Sequence, residues 1–227
     1  MIKMRSKKSK ERLAGILIIA SMAAGIFSIV PAVDSSEYLT ETTSNFYQVI
    51  WAAIFQFFMA LCYLGFAVLV YPSLRKFGSS LSVAFLSLRI MASILVVLGT
   101  IVLLSILRLS EEYAQNTGQE VYFFEMIGNI LKTSRDYINH VFMILALCAS
   151  NIILYTLLLK SKALPGWLSL WGILGSTLAA SASVLVLFQL SNVISTEYLL
   201  MNAPIALMEL TFGIWLMVKG FNKSLLN

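Results

Sequence analysis

Hydrophobic residues run in long blocks along this chain, separated by short polar stretches. The blocks cover about 13–30, 46–70, 81–107, 137–159, 166–190 and 201–218. Each is near the roughly 20 residues that an α-helix needs to cross a hydrocarbon core. None sustains the period-two alternation of a barrel strand, and backbone in lipid must satisfy its own hydrogen bonds, so the blocks read as helices. The pattern predicts an all-α, polytopic transmembrane helical bundle of six spans. Residues 1–12 form a basic tail, 13–220 one transmembrane domain and 221–227 a closing tail.

Punctuation within the pattern refines this. Pro31 closes the first block, Tyr71-Pro72 is predicted to stop the second, and Pro165-Gly166-Trp167 opens the fifth with a proline where helices tolerate one. The longest interval, 108–136, begins acidic (Glu111, Glu112, Glu120) and turns aromatic at Val121–Phe124. Residues 119–133 read as a short interfacial helix on the outer leaflet, with Tyr122, Ile130 and Tyr137 on its apolar side. In the fifth block Gly172, Ser176 and Ala180 form one line of small residues, and Gly175, Ala179 and Ser183 another. Two neighbouring lines of this kind predict a tightly packed helix and make it the candidate for the bundle centre.

Composition agrees with the membrane reading: 59% of residues are hydrophobic and only 12% charged, too few polar groups to cover a soluble surface. The net charge of +5 is not a nucleic-acid signal, because six of the sixteen basic residues lie among the first twelve, directly before a span. Such a cluster holds its end of the chain in the cytoplasm. It also resembles the start of a signal peptide, but the apolar segment is longer than a signal core and further spans follow. With six spans, twelve basic residues fall on the cytoplasmic side and nine of the eleven acidic ones outside. Both termini are therefore expected in the cytoplasm, with the bundle in the plasma membrane. Cys62 and Cys148 sit in apolar helices at depths differing by roughly 7 Å, and read as small hydrophobes.

Two charges remain inside the blocks. Glu209 is near the centre of the sixth and Arg89 roughly 12 Å into the third, at comparable depth. A buried charge usually faces a bundle interior, and each lowers the cost of burying the other. Arg89 could instead snorkel to the headgroups. Gln56, Asn151 and Asn202 are candidates to extend this polar cluster. A second candidate is the pair Asp136 and His140 at the outer mouth, four residues apart on one helical face. The sequence has no HExxH, Walker loop or GxSxG elbow, so no catalytic, cofactor-binding or metal-ligating set is assigned.

Three segments carry a resemblance: RLAGILIIASMAAGIF near the start, LPGWLSLWGILG after the fourth block and APIALMELTFGIWLMVKGF at the end. They resemble the bacterial domain-of-unknown-function 4386 family, and the resemblance extends over essentially the whole chain. It implies a multi-span bacterial membrane protein and supplies no substrate, cofactor or catalytic role. Of the functions open to such a chain, a small binding or accessory protein ranks first, its partners being membrane lipids, a small amphiphile or another membrane protein. A secondary transporter using Arg89 and Glu209 ranks second and an intramembrane enzyme last.

Overall fold

In the computed structural model, residues 2–115, 121–193 and 195–222 are described, with side chains from residue 8 onward. The chain folds as α-helices: α1 (Ile2–Phe27), α2 (Pro31–Asp34), α3 (Tyr38–Ser44), α4 (Phe46–Leu74), α5 (Ser79–Gln115), α6 (Val121–Asp136), a π-helical segment (Tyr137–Phe142), α7 (Met143–Lys160), α8 (Gly166–Leu187) and α9 (Thr196–Val218). Among the described residues five stretches are long and apolar enough to cross a bilayer, counting Val121–Lys160 as one. The sixth long helix, α1, carries Lys8, Lys10, Glu11 and Arg12 in its first half, so only Leu13–Phe27 is free of charge.

The long helices close into a ring. α1 packs on α4, α4 on α5, α5 on α7, α7 on α8, α8 on α9, and α9 back on α1. Among the described residues no helix occupies the centre, which corrects the expectation for the fifth block. Glycines of the two small-residue lines of α8 instead face its two ring neighbours. A Cβ at Gly172 would collide with the ring of Tyr155 on α7, and one at Gly175 would come within 3.1 Å of the Ile205 backbone on α9. Small residues report close approach, which a ring position needs as much as a central one.

Side chains fill the ring. Toward the end that carries Arg12, Arg75, Lys160 and Lys219, here called the basic end, Phe66, Phe85, Tyr155 and Phe212 meet edge to face with centroids 5.6–6.4 Å apart. Contacts of this kind contribute about 0.5–1.5 kcal/mol each beyond area burial. Outward, the ring shows apolar side chains: Phe58 and Leu61 on α4, Ile94 and Ile101 on α5, Leu174 on α8 and Ile214 on α9 are all exposed. A continuous apolar exterior of this extent belongs in lipid.

At the opposite, acidic end the polar interval is more ordered than its composition suggests. α5 continues to Gln115, well past the predicted boundary at 107, helped by Arg108 pairing with Glu111 (3.2 Å) and Glu112 one turn on. The predicted interfacial helix is helical from Val121, but it does not lie as a separate element. It runs through the π segment into α7 as one helix and packs along the end of α5. Residues 116–120, including Glu120 and the start of that predicted helix, lie outside the described residues. α2 and α3 close over this hairpin with a core of their own, among them Val33, Leu39, Ile106 and Phe124. The second helix also outlasts its expected stop, carrying Pro72 in its final turn and ending at Leu74.

Candidate functional site

The interior polar site is built from three helices of the ring. α5 supplies Arg89, α7 supplies Ser150 and Asn151, and α9 supplies Glu209. Arg89 is 4% exposed, so its charge is held inside the ring and does not snorkel out. Its Nε donates to Ser150 Oγ at 3.1 Å, and that hydroxyl passes a hydrogen bond to the Phe85 carbonyl at 3.2 Å. Arg89 Nη2 donates to Asn151 Oδ1, and Asn151 Nδ2 donates to Glu209 Oε1 at 3.0 Å. The guanidinium also lies 5.1 Å from the Phe66 ring centroid, with the rings of Tyr63 and Phe85 under 6 Å away.

Arg89 and Glu209 make no direct ion pair; one amide joins them. An amide suits that position because it presents an acceptor on one side and donors on the other. Its oxygen takes the cation and its nitrogen the anion, so both charges are hydrogen-bonded without the two side chains having to meet. Uncompensated, either charge would be strongly destabilising at this depth.

Beside the network is a cavity of about 10 Å³, lined by Ile18 and Ser21 of α1, Cys62, Tyr63 and Phe66 of α4, Arg89, Tyr155, Glu209 and Phe212. That is about the smallest space that holds one water molecule. Toward the basic end, α1 and α9 come into close contact. Gly213, one turn beyond Glu209, lies so close to α1 that a Cβ there would sit 2.9 Å from Ile19 Cγ1, and a Cβ at Gly15 would run into Gly213's carbonyl and Met217.

The other predicted members of the cluster lie elsewhere. Gln56 accepts a 2.9 Å hydrogen bond from Thr100 Oγ1, and Thr100 is eleven residues beyond Arg89 on α5, roughly 16 Å along the helix. Asn202 donates to the Tyr198 carbonyl of its own helix at 2.8 Å, two turns before Glu209. Neither the relative rotation of these helices nor which polar groups share a level can be read from periodicity. Ser150, Tyr63, Cys62 and Tyr155 were not foreseen as neighbours of the site. Only Ser150 had a signal, its place next to Asn151.

Asp136 and His140 are not joined by a hydrogen bond. Asp136 lies 3.4 Å from Arg135, whose guanidinium also pairs with Asp34 of α2, and the His140 ring stands edge-on to Tyr198 with centroids 6.2 Å apart. The π segment explains part of this. Its extra residue shifts the i, i+4 register, and the His140 carbonyl is served by neighbours, accepting from Ser183 Oγ at 2.8 Å and from Tyr198 Oη at 3.4 Å. Asn139 in the same segment occupies the space that Gly99 leaves on α5.

Around Arg135 the cap is cross-linked by polar contacts. Lys132 donates to the Ser35 carbonyl at 3.1 Å and stands 4.2 Å over the Tyr38 ring, and Tyr38 donates to the Glu125 carbonyl at 3.3 Å. Burial, and after it the charge of Glu125, push the Tyr38 phenol above its ordinary range, so it stays a neutral donor. Among the described residues no three His, Cys, Asp or Glu side chains gather in a way that would hold a metal ion. Cys62 and Cys148 are both buried and unpaired.

No curated protein and no solved structure matches this chain. A family model does, over residues 13–220, which takes in every long helix from the start of the apolar part of α1 to the end of α9. The chain belongs to that family, the domain of unknown function DUF4386, a group of bacterial multi-span membrane proteins.

Proposed function

We propose that this protein is a non-catalytic membrane component, binding a lipid or small amphiphile or serving a partner protein within the bilayer. In this reading it crosses the membrane six times with both termini in the cytoplasm. α1 is the sixth span, completed by Ile29 and Val30, and the basic end of the ring is the cytoplasmic one. The distribution of charge supports that orientation: Arg12, Arg75, Lys160, Lys162 and Lys219 gather at one end, and Asp34, Glu37, Glu41, Glu111 and Glu112 at the other.

The observation that carries the functional reading is how little space the interior site leaves. Arg89, Asn151 and Glu209 are linked to one another, and the space beside them, about 10 Å³, admits no solute. The network therefore acts as a strut that fixes α5, α7 and α9, and recognition takes place on the surface of the ring. A second reading is favoured by one fact: a cation, an anion and a water-sized space coincide deep in the bundle, as a small proton-coupled transporter would require. An enzymatic role ranks last.

Cys62 lines the cavity and offers a native reporter. In a Cys148→Ala background, a small charged methanethiosulfonate reagent should modify Cys62 in folded, bilayer-reconstituted protein no faster than spontaneous unfolding allows. Rapid labelling from one side of the membrane, altered by Glu209→Gln, would overturn the strut reading in favour of transport.

A further inference from the structure

At the basic end a second cavity opens, of about 810 Å³, remote from the interior network. Its walls are the connection between α7 and α8, from Leu159 to Gly166, and the end of α9, from Trp215 to Asn222. The Asn222 amide donates to the Ala163 carbonyl at 2.9 Å and ties the two walls together. Ala163, Leu164 and Phe221 are buried and give the basin an apolar floor, while Lys162 and Lys219 stand exposed.

Both helices that end here do so through a left-handed residue. Gly220 (φ 71°) follows α9, with its amide bonded to the Trp215 carbonyl at 3.1 Å. Lys162 (φ 51°) holds the equivalent place after α7, where Ala163 bonds back to Leu158 at 3.1 Å. Glycine is the residue that fits such a position without steric cost; Lys162, like Gln189 (φ 58°) after α8, takes it as a non-glycine residue. Lys162 lines the basin together with Lys219, whose Nζ lies 4.3 Å from the Trp215 ring centroid. The N-terminus of α8, at Pro165 and Gly166, adds partial positive charge to the same wall. Among the described residues no carboxylate is among those lining the basin, and the Glu11 carboxylate stands against Gly220 in its wall.

Depth and size select the ligand. Trp215 and the stacked, partly exposed pair Trp167 and Trp171 mark the level of a membrane–water interface. A basin of 810 Å³ is far larger than inorganic phosphate requires and lies within the range of sites for small organic ligands. We infer that this basin binds the headgroup of an anionic phospholipid, its phosphodiester between Lys162 and Lys219 and its glycerol and upper acyl carbons over Leu159 and Leu164. Basic pockets between spanning helices are suited to such headgroups. The inference does not depend on what the interior network does.

The test is binding of dioleoyl-phosphatidylglycerol and of dioleoyl-phosphatidylcholine to the detergent-solubilised full chain, followed by native mass spectrometry. The parent should favour phosphatidylglycerol, and Lys162→Gly and Lys219→Gln should each weaken its binding about fivefold, the scale set by one lysine near an anionic lipid surface. Lys160→Gln, at the same end but outside the basin, should leave it unchanged. Lys162→Gly replaces a strained residue with the favoured one, so its thermal midpoint should hold or rise, which separates lost binding from lost fold. Glu209→Gln should not alter the lipid preference, whatever it does to Cys62 labelling. Equal binding of the two lipids would overturn the inference. So would losses in the two basin variants no larger than that of Lys160→Gln, or displacement of the lipid by millimolar inorganic phosphate, which would identify a free-phosphate site.

Discussion

Exchanging the acid and the amide along the interior chain is the sharpest test of how Arg89 and Glu209 are coupled. Asn151→Asp alone puts a second carboxylate where an amide nitrogen stands 3.0 Å from Glu209. At an effective dielectric of about 20, two like charges at that distance repel by about 5 kcal/mol. Proton uptake by the new carboxyl on α7 caps the penalty at about 4 kcal/mol, the cost of protonating an ordinary carboxyl at pH 7. The new carboxylate also gains a direct contact with the Arg89 guanidinium, so a net loss of about 2–3 kcal/mol is expected. Adding Glu209→Gln restores every element of the network in reverse order. The carboxylate now on α7 accepts from Arg89 on one side and from the amide now on α9 on the other, and one cation again faces one anion. The double variant should return to within about 1 kcal/mol of the parent. Using the soluble-protein scale of 2–4 °C per kcal/mol for chains of this size, the single variant should melt about 4–12 °C lower in nanodiscs and the double should recover most of it. Rescue of this kind requires that the amide bridge be real. A double variant as unstable as the sum of its parts, or a single variant as stable as the parent, would refute the reasoning.

Two other expectations follow from the ring and its polarity. Gly15→Leu and Gly172→Leu should each overpack a contact, α1 on α9 and α8 on α7, and cost roughly 1–3 kcal/mol in thermal or SDS-titration stability, whereas Leu170→Ala on the exposed face of α8 should cost little; similar stability for all three would contradict the close approaches. In intact cells of a strain expressing a cysteine-free background, an impermeant maleimide should label Ser36→Cys and Asn192→Cys and spare Ser79→Cys, and labelling of Ser79→Cys alone would invert the proposed orientation.

How the membrane helices read from sequence and how the site did not is best seen at particular residues. The existence of the long helices was legible because each needs only local information: a run of apolar residues of the right length, with charges confined to its ends. Gly172 and Gly175 likewise announced tight packing, since a missing side chain on two adjacent lines has few other uses. They said nothing of which neighbours would fill the space, and the closed ring, with α8 between α7 and α9, depended on the path of the whole chain. The interval 108–136 was misjudged because its charges were weighed as solvent-facing. Arg108 pairs within its own helix, and Arg135 reaches across to Asp34, 101 positions away, so the polar residues extend and clamp helices that composition alone would end.

The interior site divides in the same way. That Arg89 and Glu209 needed compensation followed from the cost of a charge in hydrocarbon, and comparable depth followed from counting residues along two helices. Which amide would supply it did not, because Gln56, Asn151 and Asn202 are equivalent in sequence and differ only in rotation and level once the helices are packed. Tertiary structure set Asn151 between the charges, paired Gln56 with Thr100 and turned Asn202 back on its own backbone. The basin at the basic end was decided wholly by folding. Lys162 and Lys219 are 57 positions apart in the chain, and only the left-handed ends of α7 and α9, joined through Asn222 and Ala163, bring their charges to one wall-lined space.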